Sequence, residues 1–324
     1  MKVASEVELL SPPDASAWDE LVAASPEATV FHTSAWAKLW TDEWKGAKWE
    51  AIVVQDSSGY LGGIGAIVRR RGIFRTVESM PFGTYGGPVV RHGHPDAPAL
   101  RRLLLTSYAA RAARRLTARS RITWYQGIRD DFPESLRPEE SITHVLPLSS
   151  DYESVAKGFS PSTRRLVRQA DESALSIRAA ETTEDLRAFY EIAVETVRRR
   201  GGIPKPYSLY ERILTSLVPA GLARYHLVLH EGSAVAASLH LFHQGAAMSW
   251  LPVSRESSWH LRPNNYLIAS LLETLCDAGY LEYNFGATPP GAAGLVRFKE
   301  GWGARPRSVL SAGRRSALHR RFRP

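Results

Sequence analysis

The sequence predicts an α/β protein of mixed sheets, made of two related units in tandem. Two observations lead there. A meander of strand-like segments, then a helix, then one more strand, occurs in each half of the chain. The 324 residues and 44% hydrophobic content also suffice for two cores of ordinary domain size.

The elements follow in order. Asp14 is placed to cap a helix through Trp18 and Leu21, and Ser34 one through Trp36, Leu39 and Trp40. WEAIVVQD, YLGGIGAIVRR and GIFRTVES alternate as strands, with a turn at Asp56–Gly59. Pro95 to Arg119 reads as one long basic helix with Leu103, Leu104, Tyr108, Ala112 and Leu116 on its apolar side. RITWYQGI is a strand, and the proline- and glutamate-bearing stretch Arg129 to Ser141 a loop. In the second half, Tyr152–Phe159 and Ser162–Asp171 are helical, SIRAA is a strand, and Glu184–Arg200 and Ser208–Leu217 are helices. ARYHLVLH, SAVAASLHLFH and AAMSWLPVS form the second meander, followed by a helix over Asn264–Ala278 and the strand LEYNFG. The boundary is placed near Leu148: residues 1–148 form the first unit, 149–303 the second, and 304–324 return to the first.

Composition narrows the chemistry. No run of about 18 apolar residues exists to span a bilayer, and the N-terminus turns acidic and proline-bearing before any signal-type core forms. A cytoplasmic protein is expected. The single cysteine, Cys276, excludes an internal disulfide and lies in an apolar helical stretch. The net charge of +8 favours polyanionic partners, with basic runs at Arg69–Arg71, Arg111–Arg115, Arg164–Arg168, Arg198–Arg200, Arg314–Arg315 and Arg320–Arg321. Solvated helix faces are the alternative account of those runs.

There is no G-x-S-x-G elbow, no phosphate loop of the G-x-x-x-x-G-K-[ST] type and no HExxH. His226, His230, His240 and His243 read as ordinary strand histidines rather than metal ligands. An enzyme with such a sequence can still form an amide if its acyl donor arrives activated, by aligning an amine with the carbonyl and stabilising the oxyanion. The segment Tyr280 to Pro306 suits that chemistry. It reads as a short strand, a Gly/Pro/Ala-rich loop, then Arg297-Phe298-Lys299 closed by Gly301, Trp302 and Gly303. A lysine between aromatics offers a fixed charge with a stacking wall; a surface turn between strands is the alternative.

FKEGWGARP after a strand ending in YNFG resembles the C-terminal signature of the FemXAB family of aminoacyl-tRNA-dependent peptidyltransferases. FHTSAWAKLW, SPSTRRLVRQADESALSIR, FYEIAVETVRRRGGIPKPYSLYERIL and LRPNNYLIASLLETLCDAGY resemble further pieces in the family's order. The resemblance spans nearly the whole chain. It implies two tandem GNAT-like acyltransferase domains of the compact type without a helical arm. It also implies an aminoacyl-tRNA donor, which needs no other cofactor and no metal. The acceptor would be an anionic amine: a UDP-linked or lipid-linked muropeptide, or a peptidyl metabolite. Lys299 matches the family's catalytic lysine, with Arg297, Phe298 and Trp302 beside the tRNA end. Lys38 and Trp36 of the N-terminal helix, with Arg200, Lys205, Tyr207 and Tyr210, are the implied acceptor contacts. Two positions depart from the pattern. Trp124-Tyr125-Gln126-Gly127 stands where many members show Asp-Pro, and Asn284 where an aspartate is common. An acyl-coenzyme A-dependent N-acyltransferase and a non-catalytic RNA-binding protein on the same scaffold are the competing readings.

Overall fold

The computed structural model describes residues 7–316; the Arg320–Arg321 run lies outside them. The chain divides into two compact units, one running to Ser141 and resuming at Ser308, the other Ile142–Arg307.

The first unit opens with β1 (Val7–Leu10), α1 (Ala15–Ala23) and α2 (Ser34–Glu43). The Asp14 carboxylate accepts from Ala17 N at 2.8 Å and starts α1. Thr33 rather than Ser34 caps α2, accepting from Trp36 N at 3.2 Å, while Ser34 turns its hydroxyl to Asp19. The strands β2 (Lys48–Asp56), β3 (Gly59–Arg71) and β4 (Phe74–Glu78) form the expected antiparallel meander, with the short β5 (Val89–Val90) on β3. Gly63 lets the ring of Trp18 lie on the sheet, since a Cβ there would come within 2.7 Å of it.

The long helix ends earlier than its leucines suggest: α3 spans Ala97–Ala112, and Thr117 opens β6 (Thr117–Tyr125), parallel to β4. Thr117, Ala118 and Arg119 are thus strand residues. Arg111 is no solvated member of a basic run. It is buried, and its guanidinium grips Glu50 of β2 with contacts of 2.6–3.1 Å. The strand β13 (Arg305–Arg315) lies antiparallel on β6, giving the order β1-β2-β3-β4-β6-β13.

The second unit repeats this plan. Its first sheet strand is β7 (Glu139–Pro147), where a loop was expected up to Ser141; residues 142–147 pair antiparallel with a strand at the far end of the unit. Then come α4 (Tyr152–Lys157), α5 (Pro161–Asp171), β8 (Leu175–Ala179), α6 (Thr183–Arg199) and α7 (Tyr207–Arg212), which runs into a π-helical turn at Ile213–Leu217. The meander is β9 (Ala223–His230), β10 (Ser233–His243) and β11 (Ala246–Ser254), followed by α8 (Pro263–Asp277) and β12 (Glu282–Thr288), parallel to β11. The last helix is α9 (Ala293–Gly301), so Arg297, Phe298 and Lys299 lie on a helix and not in the expected loop. The order is β8-β9-β10-β11-β12-β7.

Each unit is therefore an edge strand, two helical segments, a three-strand meander, a crossover helix, a parallel strand and a final antiparallel strand. That final strand precedes the second unit in sequence and follows the first. The core of the second unit packs α8 onto the sheet through Leu272, Leu275, Val228, Ala236 and Tyr283. Cys276 is fully enclosed there, and burial raises its thiol pKa. No helical hairpin arm is inserted among the described residues of this unit.

Candidate active site

In a sheet of this kind ligands bind beyond the carboxyl ends of parallel strands joined by a crossover helix. In the second unit that place is the junction of β11 and β12. Their ladder holds only from Ala246–Glu282 to Met248–Asn284, although both strands continue. β11 bulges at Trp250, where the register steps so that Ser249 and Leu251 face consecutive residues of β10. β12 bulges beside it, between Asn284 and Ala287 against β7. Gly286, at φ 78°, makes this close approach possible: a Cβ there would sit 3.0 Å from the Ser249 carbonyl oxygen.

Lys299 holds this bulge. Its Nζ reaches back from α9 and donates to Gly286 O at 2.6 Å, Ala287 O at 3.1 Å and Thr288 Oγ1 at 3.0 Å. The residue is 3% exposed, and burial brings its ammonium pKa down to about 8. An ammonium has three N–H groups, and all three are engaged. Lys299 is thus a buried strut of the bulge rather than an open charge at the surface. Asn284 completes the brace, accepting from Gly286 N at 2.8 Å and from Thr143 Oγ1 at 2.6 Å. The Asn284 amide oxygen thus fills an acceptor position that a carboxylate would also suit. His144 bonds Thr288 Oγ1 at 3.0 Å, and burial, then the nearby Lys299 charge, favour its neutral ring.

The neighbours of Lys299 divide. Arg297 is exposed and Phe298 is half-buried. Trp302 is 0% exposed, wedged edge-on between Phe159 at 5.0 Å and Phe298 at 6.4 Å. A stacking role for Trp302 is corrected accordingly: its ring is core, filling the space under α5.

A second set gathers at the α6–α7 connection. Lys205 lies 5.2 Å above the Trp250 ring, and burial lowers its pKa. Tyr190 donates to Lys205 O at 3.2 Å and packs edge-on against Tyr207. The Tyr207 hydroxyl is buried and has no hydrogen-bond partner among the described residues. Tyr210, by contrast, is core, 2% exposed against Phe189, and Arg200 stands exposed at the end of α6. Trp250 and Tyr190 are members that sequence reasoning missed. The signal for Trp250 was a polar-apolar alternation broken at Ser249-Trp250-Leu251.

In the first unit, Lys38 projects from α2, 73% exposed, and pairs with Asp42 one turn on at 3.0 Å. It borders a groove of about 630 Å³ with Ser34, Thr41, Lys48 and Trp49. Trp36 faces the other way. It is fully buried against Phe31 at 4.9 Å, so it cannot touch an acceptor.

Two of the strand histidines meet. His226 Nδ1 lies 3.1 Å from His240 Nδ1, and His240 Nε2 lies 3.2 Å from Tyr283 OH, which also bonds Ser249. Burial lowers His226 to about 4 and His240 well below the usual histidine value. The unfolded chain takes up protons near pH 6.5 that the folded chain refuses. Stability from this pair is therefore complete above pH 6.5 and lost as pH falls towards 4. For His226 the integrated effect is about 3 kcal/mol. Urea denaturation between pH 7 and 5 should show the midpoint falling with pH, and H226F/H240F should flatten that slope; an equal slope in both would refute this account.

Residues 159–300 match the acetyltransferase (GNAT) domain family. No curated protein matches the sequence. Among solved structures, the crystal structure of FemX aligns with TM-score 0.71 at 15% identity, over 94% of this chain and 96% of that one. The chain has a FemX-like fold. The C-terminal domain of a putative lysylphosphatidylglycerol synthetase from Agrobacterium fabrum aligns at TM-score 0.57 and 14% identity, over 94% and 93% of the two chains. A tandem GNAT protein from the clavulanic acid biosynthesis pathway aligns at TM-score 0.57 and 11% identity, over 95% and 98%. FemX-like here means two GNAT-type units in one chain. Among the described residues no helix is long and apolar enough to cross a membrane.

Proposed function

We propose that this protein is a cytoplasmic aminoacyltransferase that takes its acyl group from aminoacyl-tRNA. It forms a peptide bond on an amine of a peptidoglycan precursor or a peptidyl metabolite. The observation that carries the reading is the connection from β11 to α8. A coenzyme A pyrophosphate needs a glycine-lined turn with free amides at the start of this helix. Here Arg255 to Arg262 contains no glycine, and Pro263 supplies no N–H. Asn265 N and Tyr266 N are already given to Arg262 O at 2.9 and 3.1 Å. A donor activated as a ribose ester asks nothing of that turn.

In the reaction the acceptor amine attacks the ester carbonyl carbon, and a C–N bond forms while the carbonyl becomes an oxyanion. On collapse the C–O bond to the ribose breaks, and the amine proton goes to the departing ribose oxygen. Lys299 acts by fixing the backbone around Gly286, which keeps the β11–β12 junction in one shape. Within the second unit, the Lys205–Trp250–Tyr207 cluster provides cationic and apolar contacts suited to an anionic, amine-bearing acceptor. The test is to supply a charged tRNA pool with radiolabelled amino acids and muropeptide acceptors. Ribonuclease-sensitive transfer is expected, and none with any charged tRNA would refute the reading.

A second reading, N-acyl transfer from acyl-coenzyme A, rests on the acetyltransferase domain match over residues 159–300. Titration calorimetry with acetyl-coenzyme A separates the two: the first reading predicts no heat of binding.

A further inference from the structure

The run Arg164–Arg168 remains outside the site described so far. It lies on α5, whose helix starts at the Ser160 cap, with the hydroxyl accepting from Thr163 N at 3.1 Å. Arg164, Arg165 and Arg168 are all exposed, as is Lys157 at the end of α4. Among the described residues, no carboxylate lies within ion-pair distance of any of these four. This sets them apart from Arg101, Arg111, Arg178, Arg199 and Arg255, each held by an acid. Arg164 is also held in place, since its Nη1 donates to Phe159 O at 2.7 Å and to Lys157 O at 3.2 Å.

Beside the arginines is a groove of about 270 Å³ floored by Tyr152, Phe159 and Val167, with Arg164 and Arg168 on its rim. The acids of this neighbourhood stand at the helix ends. Asp151 caps α4, and Asp171 and Glu172 close α5. Burial, then the charges of Glu273, Asp171 and Glu153, push the Tyr152 phenol up to about 12, so that end of the groove is the negative one. The first two turns of α5, which carry Arg164, Arg165 and Arg168, are the positive side. Arg164 and Arg168 are one helical turn apart, about 6 Å along the axis, a spacing close to that of successive phosphates in a strand. The groove is shallow and open, and its partly exposed Tyr152 ring offers a face to a base or sugar. A membrane-binding helix would instead present protruding apolar side chains.

The position of α5 gives this surface a purpose. Its first turn abuts the end of α9: Ser160 N donates to Gly301 O at 2.8 Å, and a Cβ at Gly301 would strike Thr163 Oγ1. The helix carrying Lys299 therefore links α5 directly to the β12 bulge.

We infer that the exposed face of α5, with Lys157, is the docking surface for the phosphate backbone of an RNA. This rests on the aminoacyl-tRNA reading, and the RNA is the donor's acceptor stem. The experiment measures binding of uncharged total tRNA by filter retention from 50 to 250 mM salt. It compares the full chain with R164Q/R165Q/R168Q and with R165Q/R168Q, which leaves the Arg164 tether intact. The triple variant should bind at least 10-fold more weakly at 100 mM salt. The plot of log affinity against log salt should become shallower by about 2, at roughly 0.7–0.9 for each phosphate no longer neutralised. The double variant should fall between and should unfold at the temperature of the parent. A parent that binds tRNA while the triple variant binds equally, with the same slope, overturns this surface alone. A parent that binds no tRNA overturns the donor reading as well. Arginine-dependent binding to vesicles of equal phosphatidylglycerol and phosphatidylcholine, with none to tRNA, would assign the face to a membrane and also overturn it.

Discussion

Replacing Lys299 with methionine is expected to destabilise the second unit by about 3 kcal/mol and to abolish transfer. Methionine fills most of the same volume but leaves Gly286 O and Ala287 O without this donor and Thr288 Oγ1 with His144 alone. A buried acceptor stripped of its partner costs about 1–3 kcal/mol; the two carbonyl losses are partly offset because an ammonium no longer has to be buried. Urea denaturation followed by tryptophan fluorescence measures the first effect, and a K299M midpoint equal to the parent's would remove Lys299 from its role as strut. The pH dependence separates structure from activity. Because burial lowers the folded-state pKa to about 8, the folded chain gives up this proton before the unfolded chain does. Between pH 8 and the unfolded lysine value, this group then makes folding more favourable as pH rises. Yet the neutral amine has two N–H groups for three acceptors, so the bulge loosens. Activity should fall above about pH 8 without a matching loss of stability. In K299R, whose side chain stays charged, that alkaline fall should vanish.

The second large effect lies in the first unit. Arg111 and Glu50 form a buried pair, with Nη2 at 2.6 Å and Nε at 3.1 Å from Glu50 Oε2 and Nη2 at 2.9 Å from Oε1. Changing either alone strands a charge among Ile52, Ile64, Val77 and Tyr108. R111M or E50L should therefore cost about 3–5 kcal/mol. R111M/E50L, which removes both charges, should recover most of that loss, since a buried pair contributes little beyond an apolar replacement. A double variant as unstable as the sum of the singles would mean the two side chains act independently.

The local elements were legible because they depend on neighbours in the chain. The cap at Asp14, the meanders and the apolar stripe of α8 follow from spacing over a few residues. So does the FemX-like order of the elements. The misreadings share one cause. Leu116 continues the apolar stripe of α3, which makes a helix to Arg119 plausible, but Thr117 to Arg119 are strand residues paired with β4. β7 hides in a polar stretch because its ladder partner, β12, lies about 140 residues further on. Trp36 and Trp302 look like site residues because aromatic-basic spacing does not say which way a ring turns.

What the chain determined by itself is its two meanders with the crossover helix and strand that follow each, its basic character, and attention to Lys299. Tertiary structure alone decided what Lys299 does. Two backbone carbonyls and a hydroxyl from a different element converge on its ammonium, turning an apparent surface charge into an internal brace. It likewise decided that β7 pairs with β12, about 140 residues further on. Backbone hydrogen bonds between distant segments are chosen by which edge is left open, and no local pattern records that.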